Sequence, residues 1–245
     1  MSRLVSWLDQ RLYPGFERNW DDCLFRGRIE DLIGSGGLDV LDLGAGAGIV
    51  SQMDFRGQAR YICGLDPDPR VTSNPFLDEG RVGVGEAIPY PNCSFDLVFA
   101  DNVLEHLPDP EKVFAEVVRV LRPGGLFLAK TPNTWHYMPL ISRMTPHSFH
   151  RWIVQKRGRA PDDIFPTRYR ANTPGAIRRL AKGAGLAVGQ IEQIEGRPEY
   201  LRINAMTYLL GSLYERVVNL SSVLAPFRIL LIVRLRKPVD SGFEG

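Results

Sequence analysis

Val40-Leu41-Asp42-Leu43-Gly44-Ala45-Gly46-Ala47-Gly48 is a short apolar run that ends in an acid and then breaks into three alternating glycines. Glycine reaches positive φ and puts no Cβ in the way, so a ligand can lie directly against such a loop. The apolar run predicts a buried parallel strand, and Gly48-Ile49-Val50 predicts the start of a helix whose N–H groups point back at the loop. Together they predict a nucleotide-type cofactor site at the carboxyl end of the first strand of an open α/β sheet.

Around this segment, strand and helix signals alternate. Strand-like runs follow at Leu38–Leu43, Arg60–Leu65, Arg81–Val84 and Phe95–Ala100. A helix is predicted over Pro110–Leu121, with Val113, Phe114, Val117, Val118 and Leu121 on one face, Asp109 as its cap and Pro110 in its first turn. Arg122-Pro123-Gly124-Gly125 predicts a turn, and Leu126–Ala129 the next strand. Thr173-Pro174 opens a further helix through Ala184 that Gly185 closes. Leu186–Ile194 and Ile229–Leu235 supply the last two strands, and residues 1 to about 33 predict helices. The expected fold is α/β, a Rossmann-like sheet of seven mostly parallel strands with helices on both faces and the last strand antiparallel.

Between Thr131 and Asn172 the periodicity fails, because five prolines interrupt a stretch crowded with aromatic residues and histidines. Such a stretch predicts a lid-like insertion after the fifth strand. The organisation is therefore one domain, 1–245, with N-terminal helices at 1–33, a cofactor-binding core at 38–130, a lid at 131–172 and C-terminal helices and strands at 173–238. The apolar positions Leu201, Ile203, Met206, Leu209, Leu210, Leu213, Val217 and Val218 read as core or a subunit interface ahead of a membrane-surface helix. A homodimer and a peripheral membrane contact both stay open.

Bulk properties exclude several classes. With 44% hydrophobic and 24% charged residues, the chain is an ordinary globular one and not a disordered one. A net charge of +2 does not call for nucleic acid as a partner. No uncharged apolar stretch approaches the ~18 residues of a membrane span. Cys23, Cys63 and Cys93 are odd in number and lack CxxC spacing, which predicts reduced thiols in a cytoplasmic protein. The first residues lack an apolar signal core, so no export is expected. His136, His147 and His150 lie close in sequence but without metal-ligand spacing, and no metal is expected. The basic run Arg151–Arg159 reads as a solvated face, and after that as a contact for an anionic substrate group or lipid.

Asp66 lies twenty-two positions after Gly44, before Pro67. A carboxylate there can accept two hydrogen bonds from a ribose diol, a geometry common to NAD-binding and S-adenosylmethionine-binding sheets. A dinucleotide fingerprint GxGxxG would require glycine at position 49, which is Ile49. Further along come Gly85-Glu86-Ala87-Ile88-Pro89-Tyr90-Pro91-Asn92-Cys93-Ser94-Phe95-Asp96-Leu97-Val98, then Asp101-Asn102-Val103-Leu104-Glu105-His106-Leu107, then Arg122-Pro123-Gly124-Gly125. In order and spacing these motifs resemble class I S-adenosylmethionine-dependent methyltransferases, and most closely the small-molecule subgroup called type 11. The resemblance covers residues 38–132 well and 173–195 loosely.

The resemblance implies a site residue by residue. Gly44, Ala45 and Gly46 would pass under the methionine portion of S-adenosylmethionine, and Asp42 would face its ammonium. Asp66, with Pro67 beside it, would take the ribose hydroxyls. Glu86 and Ala87 would lie by the adenine, and Asp101 and Asn102 would border the methionine and the open substrate side. The acceptor would be a small, apolar or aromatic molecule methylated on O or N, with His106 as the leading general base and His136 and His147 as further candidates. Two other classes remain: a non-catalytic S-adenosylmethionine-binding or assembly protein, and an NAD-dependent oxidoreductase, which Ile49 disfavours.

Overall fold

The computed structural model describes residues 3–16, 19–34, 37–144 and 166–239. The elements run α1 (Arg3–Leu12), α2 (Trp20–Ile33), β1 (Asp39–Leu43), β2 (Tyr61–Asp66), β3 (Glu79–Val82), β4 (Phe95–Asp101), α3 (Pro110–Val120), β5 (Leu121–Pro132), α4 (Tyr137–Met144), α5 (Pro174–Ala184), β6 (Ala187–Ile194), α6 (Ala205–Asn219) and β7 (Leu230–Arg236). The strands form one seven-stranded sheet in the order β3-β2-β1-β4-β5-β7-β6. The pairs β3–β2, β2–β1, β1–β4 and β4–β5 are parallel, while β7 and β6 are antiparallel. The order reverses direction at β1, which is where ligands bind in open α/β sheets.

Local chemistry explains the elements that follow expectation. Asp109 accepts the Lys112 N–H at the start of α3, and Thr173 accepts the Ala176 N–H at the start of α5. Gly185 closes α5 at φ 80°, a left-handed position that suits a residue without Cβ. Leu41, Leu97, Val98 and Phe99 are fully buried, as central parallel strands require. Phe99 meets both Phe25 and Phe55 edge to face.

Three expectations are corrected. No α-helix follows the glycine loop; the chain makes only a 3-10 turn at Ser51–Met53 before β2. Gly48 at φ 70° and Gly57 at φ 80° hold the connection in left-handed backbone on either side of that turn, which no right-handed helix can cross. The third strand lies two residues earlier, at Glu79–Val82 rather than Arg81–Val84. Finally, Arg122–Gly125 does not separate α3 from a later strand. β5 already starts at Leu121, opposite Phe95, and these residues form an irregularity before Leu126 pairs with Leu97.

The chain divides into two compact units. One comprises Met1–Trp20, Pro132–Pro166 and Gln193–Leu230; the other comprises Asp21–Thr131, Thr167–Glu192 and Leu231–Gly245. The second unit contains β1 to β4 and is pinned at both ends of its central strands. At the amino ends, Arg122 bridges Asp39 of β1 and Asp96 of β4 at 2.8 and 2.6 Å. At the carboxyl ends, the fully buried Lys130 ammonium lies 2.9 Å from Asp101 and 3.4 Å from Asp21, and also bonds Asp22.

In the first unit, Val5, Tyr13 and Tyr208 form a small core joined by Leu8 and Leu12. Asp9 beneath them accepts from Tyr208, Arg197 and Arg202.

Removing a buried cation leaves its carboxylates unpaired, and such losses typically cost 3–5 kcal/mol. Lys130→Met should therefore lower unfolding free energy by about 3–5 kcal/mol, measured by urea denaturation at neutral pH. An unchanged midpoint would mean that solvent already neutralises the cluster.

Candidate functional site

The glycine loop is shaped by backbone necessity. Gly44 has φ 89°, and a Cβ there would stand 2.3 Å from the Val103 side chain. Gly48 has φ 70°, and a Cβ there would stand 2.3 Å from Asn74. Gly46, at φ 54°, is different, because its Cβ direction opens onto empty space. The middle of the loop thus offers bare backbone to whatever lies above it.

Side chains hold this loop in place of the absent helix. Both Asp66 oxygens accept backbone N–H groups, from Gly46 at 2.9 Å and from Asp68 at 2.8 Å. The Asn74 amide donates to the carbonyls of Ala45 and Gly46 at 3.0 and 3.2 Å. Its own Oδ1 accepts the Phe76 N–H. Sequence reasoning missed Asn74, although Asn74-Pro75 after an acid-rich turn was a signal for a side chain folding back on the backbone.

Three carboxylates gather at the strand ends. Asp42 is buried in β1, and burial followed by the neighbouring Asp101 and Asp66 charges pushes its pKa well above the carboxylate range. Burial also raises Asp66, against the pull of its two N–H donors. Asp101 is raised to about 6, again by burial, with Lys130 opposing the rise. Asn102 adopts φ 54° beside it and donates to its carboxylate at 2.9 Å. Lys130, missed because the fifth strand was ended at Ala129, pairs in register with Asp101.

The loop after β3 carries Glu86 and Ala87. Arg119 of α3 secures it by donating to the carbonyls of Ile88 and Tyr90, while Glu116 accepts the Ile88 N–H. Glu86 Oε1 is buried there with no hydrogen-bond partner. Ala87 and Pro67 are exposed.

His106 follows β4, with Nε2 4.0 Å from Glu105 Oε1. Glu105 is buried and its pKa is raised to about 7, chiefly by that burial. Its Oε2 accepts from Thr131, whose oxygen accepts from Asn172, a buried chain of bonds that sequence reasoning did not find. His136 belongs to the other unit. Burial lowers its pKa to about 3, its Nδ1 accepts the Met138 N–H, and its Nε2 lies 3.4 Å from Glu195. Glu195 is raised to about 8 by burial. His147 lies outside the described residues.

Comparison with known proteins agrees with this geometry. The family described as a methyltransferase domain matches residues 41–129, from β1 through most of β5. An uncharacterized methyltransferase of Mycolicibacterium vanbaalenii is 36% identical over 201 residues, covering 78% of this chain and 77% of the relative. The chain belongs to the S-adenosylmethionine-dependent methyltransferases, class I. A probable S-adenosylmethionine-dependent methyltransferase of Mycolicibacterium smegmatis is 37% identical over 119 residues, covering 46% of this chain and 45% of that protein. A further uncharacterized methyltransferase, from Mycobacteroides abscessus, is 33% identical over 145 residues, 53% of this chain and 55% of its own. The chain thus spans about half the length of these last two relatives.

Among solved structures, a putative sarcosine dimethylglycine methyltransferase from Galdieria sulphuraria has a TM-score of 0.56 at 20% identity, covering 90% and 85% of the two chains. A [4+2]-cyclase shares the fold at a TM-score of 0.53, 18% identity and coverage of 86% and 81%. The fold alone therefore leaves the reaction open.

Family membership brings S-adenosylmethionine as cofactor, and the residues present fit it. The group carries a sulfonium and an ammonium, and the strand ends carry buried carboxylates whose raised pKa values an arriving cation would lower again. The orphaned Glu86 oxygen lacks a donor, and the empty space over Gly46 leaves backbone open to a ligand.

Asn74→Ala should loosen the glycine loop without emptying the core. Losing two bonds of ordinary strength should weaken S-adenosylhomocysteine binding on the order of tenfold in calorimetry. Equal affinity would mean that Asp66 alone shapes the loop.

Proposed function

We propose that the protein transfers a methyl group to an O or N atom of a small, apolar or aromatic acceptor. The buried acids Asp42, Asp66 and Asp101 around an open glycine loop carry this reading. When bound, S-adenosylmethionine supplies a methyl group already activated by positive sulfur.

The chain's own residues bind, orient and handle a proton. Each Asp66 oxygen keeps a lone pair beyond the N–H it already accepts, so the carboxylate can hold the loop and also take ribose hydroxyls. Gly44, Ala45 and Gly46 give close backbone approach to the methionine portion. Asp42 answers the ammonium, and Asp101 and Asn102 border the methionine portion. Glu86, beside Ala87, offers its free oxygen to the exocyclic amine of adenine. Holding an acceptor in line can supply several kcal/mol, on the order of 7–11 in favourable cases.

An O or N acceptor also releases a proton, and His106, which follows β4, is our candidate to take it. Glu105 beside it titrates near neutrality and can stabilise the imidazolium that results. His136 is a weaker candidate, because burial keeps its imidazole neutral well below pH 7.

Calorimetric titration with S-adenosylhomocysteine and with NAD tests the cofactor assignment. The thioether should bind, and Asp66→Ala should weaken it by about a hundredfold or more, as expected for lost charge-assisted bonds. NAD binding without any response to the thioether would overturn the reading. A mass-spectrometric search for copurified small molecules would supply the acceptor. With that acceptor, His106→Ala should lower kcat by about 10²–10⁴ while leaving S-adenosylhomocysteine affinity unchanged.

The cofactor grip should depend on pH. Asp42 and Asp101 hold protons above their ordinary range in the folded protein, and a bound cation favours their ionised forms. Binding therefore releases protons and tightens as pH rises through about 6. S-adenosylmethionine titrations in buffers of different ionisation enthalpy should register that release; heats independent of buffer would refute it.

A further inference from the structure

The stripe on α6 is not core. Met206 is 73% exposed and Leu220 is 81% exposed, and Leu209, Leu210, Leu213 and Val217 between them are exposed as well. At the helical repeat these positions fall on one side. Tyr208, Gly211 and Val218 are buried on the opposite side. The outer side is thus the more hydrocarbon-rich one, yet only the inner side has a protein partner among the described residues. A helix of this composition belongs in a core or against an apolar phase.

Two more observations say which phase. α1 packs against α6 in the same unit and exposes Leu4 and Trp7, an aromatic-aliphatic pair three residues apart on one side of α1. Among the described residues, the charges around these apolar side chains that make no ion pair or hydrogen bond are positive. Arg3, Arg11 and Arg216 are exposed and make no ion pair with any described residue. Every described carboxylate of this unit is already engaged. Asp9 and Glu199 hold Arg197 and Arg202, Glu195 accepts the Ile229 N–H, and Glu215 accepts from Tyr13 and Asn219.

We propose that this surface, α6 with the outer side of α1, lies on an anionic phospholipid bilayer. Apolar side chains enter the headgroup–acyl boundary, Trp7 sits at the interface, and the unpaired arginines meet lipid phosphates. A second copy of the chain fits less well, since a two-fold contact on this surface would bring the same arginines together with no free carboxylate among the described residues of the unit to receive them. None of the described helices is long and apolar enough to cross a membrane, so the contact is an in-plane one. The inference stands apart from the methyl-transfer reading, because none of these residues is placed at the cofactor site.

Co-sedimentation of the full chain with vesicles tests it. Vesicles of phosphatidylglycerol and phosphatidylcholine should carry the protein down, and phosphatidylcholine alone should do so far less. Raising salt to about 1 M should release much of it. Leu210→Glu with Leu213→Glu should reduce partitioning more than about tenfold. Arg11→Ala with Arg216→Ala should reduce it about fivefold for each arginine lost. Unchanged heat of S-adenosylhomocysteine binding in these variants shows that fold and cofactor site are intact. Wild-type protein that ignores anionic vesicles overturns the proposal. So does a wild-type dimer, without vesicle binding, that the leucine variant converts to monomer in sedimentation velocity. Failure of wild-type protein to bind the thioether would instead count against the methyltransferase reading and leave the vesicle result standing.

Discussion

A single buried ammonium organises the carboxyl ends of the central strands. Lys130 has no exposed surface, and three carboxylates from α2 and β4 converge on it. Burying a cation is expensive, and it is tolerable here only because the charge is surrounded. The arrangement fixes where Asp101 stands and leaves Asp42, one strand away, without a cation of its own. The sheet end thus carries an excess of negative charge beyond what Lys130 neutralises. A positively charged cofactor completes that electrostatic arrangement.

The parts legible in sequence were those where one residue type has one job. Glycines with positive φ, the Asp109 and Thr173 caps, the Gly185 stop and the alternating apolar runs all acted locally, and each could be read without knowing its neighbours. The order of motifs then carried the family. What was not legible depended on who meets whom in three dimensions. Asn74 and Lys130 matter because of partners 28 and 109 positions away, and Thr131 matters because Glu105 lies under it. The helix expected after Gly48 failed for a local reason, since Gly48 and Gly57 put left-handed backbone on either side of the turn. The stripe on α6 was legible as an apolar face but not as to what covers it, because helical spacing marks such a face equally whatever lies against it.

Chemistry and surface are distributed unequally between the two units. The unit that holds β1 to β4 buries Asp42 and Asp66 at the glycine loop and Glu105 at the head of the Glu105–Thr131–Asn172 chain. In the other unit Asp9 and Glu199 hold Arg197 and Arg202, while Arg3, Arg11, Arg216 and apolar side chains of α1 and α6 face outward. Its buried His136–Glu195 pair belongs to that internal set, because two groups desolvated together both settle in their neutral forms.

The double pinning of β4 to β5, by Arg122 at one end and Lys130 at the other, bears on how this molecule can breathe. Strands clamped at both termini cannot slide past each other without parting ionic contacts at one end. Opening and closing must then fall to the connections on either side, the turn after β2 and the segment that bears Glu86. Amide protons in the central ladder should therefore persist long after those in the connections have exchanged with solvent, leaving a rigid floor beneath walls that yield.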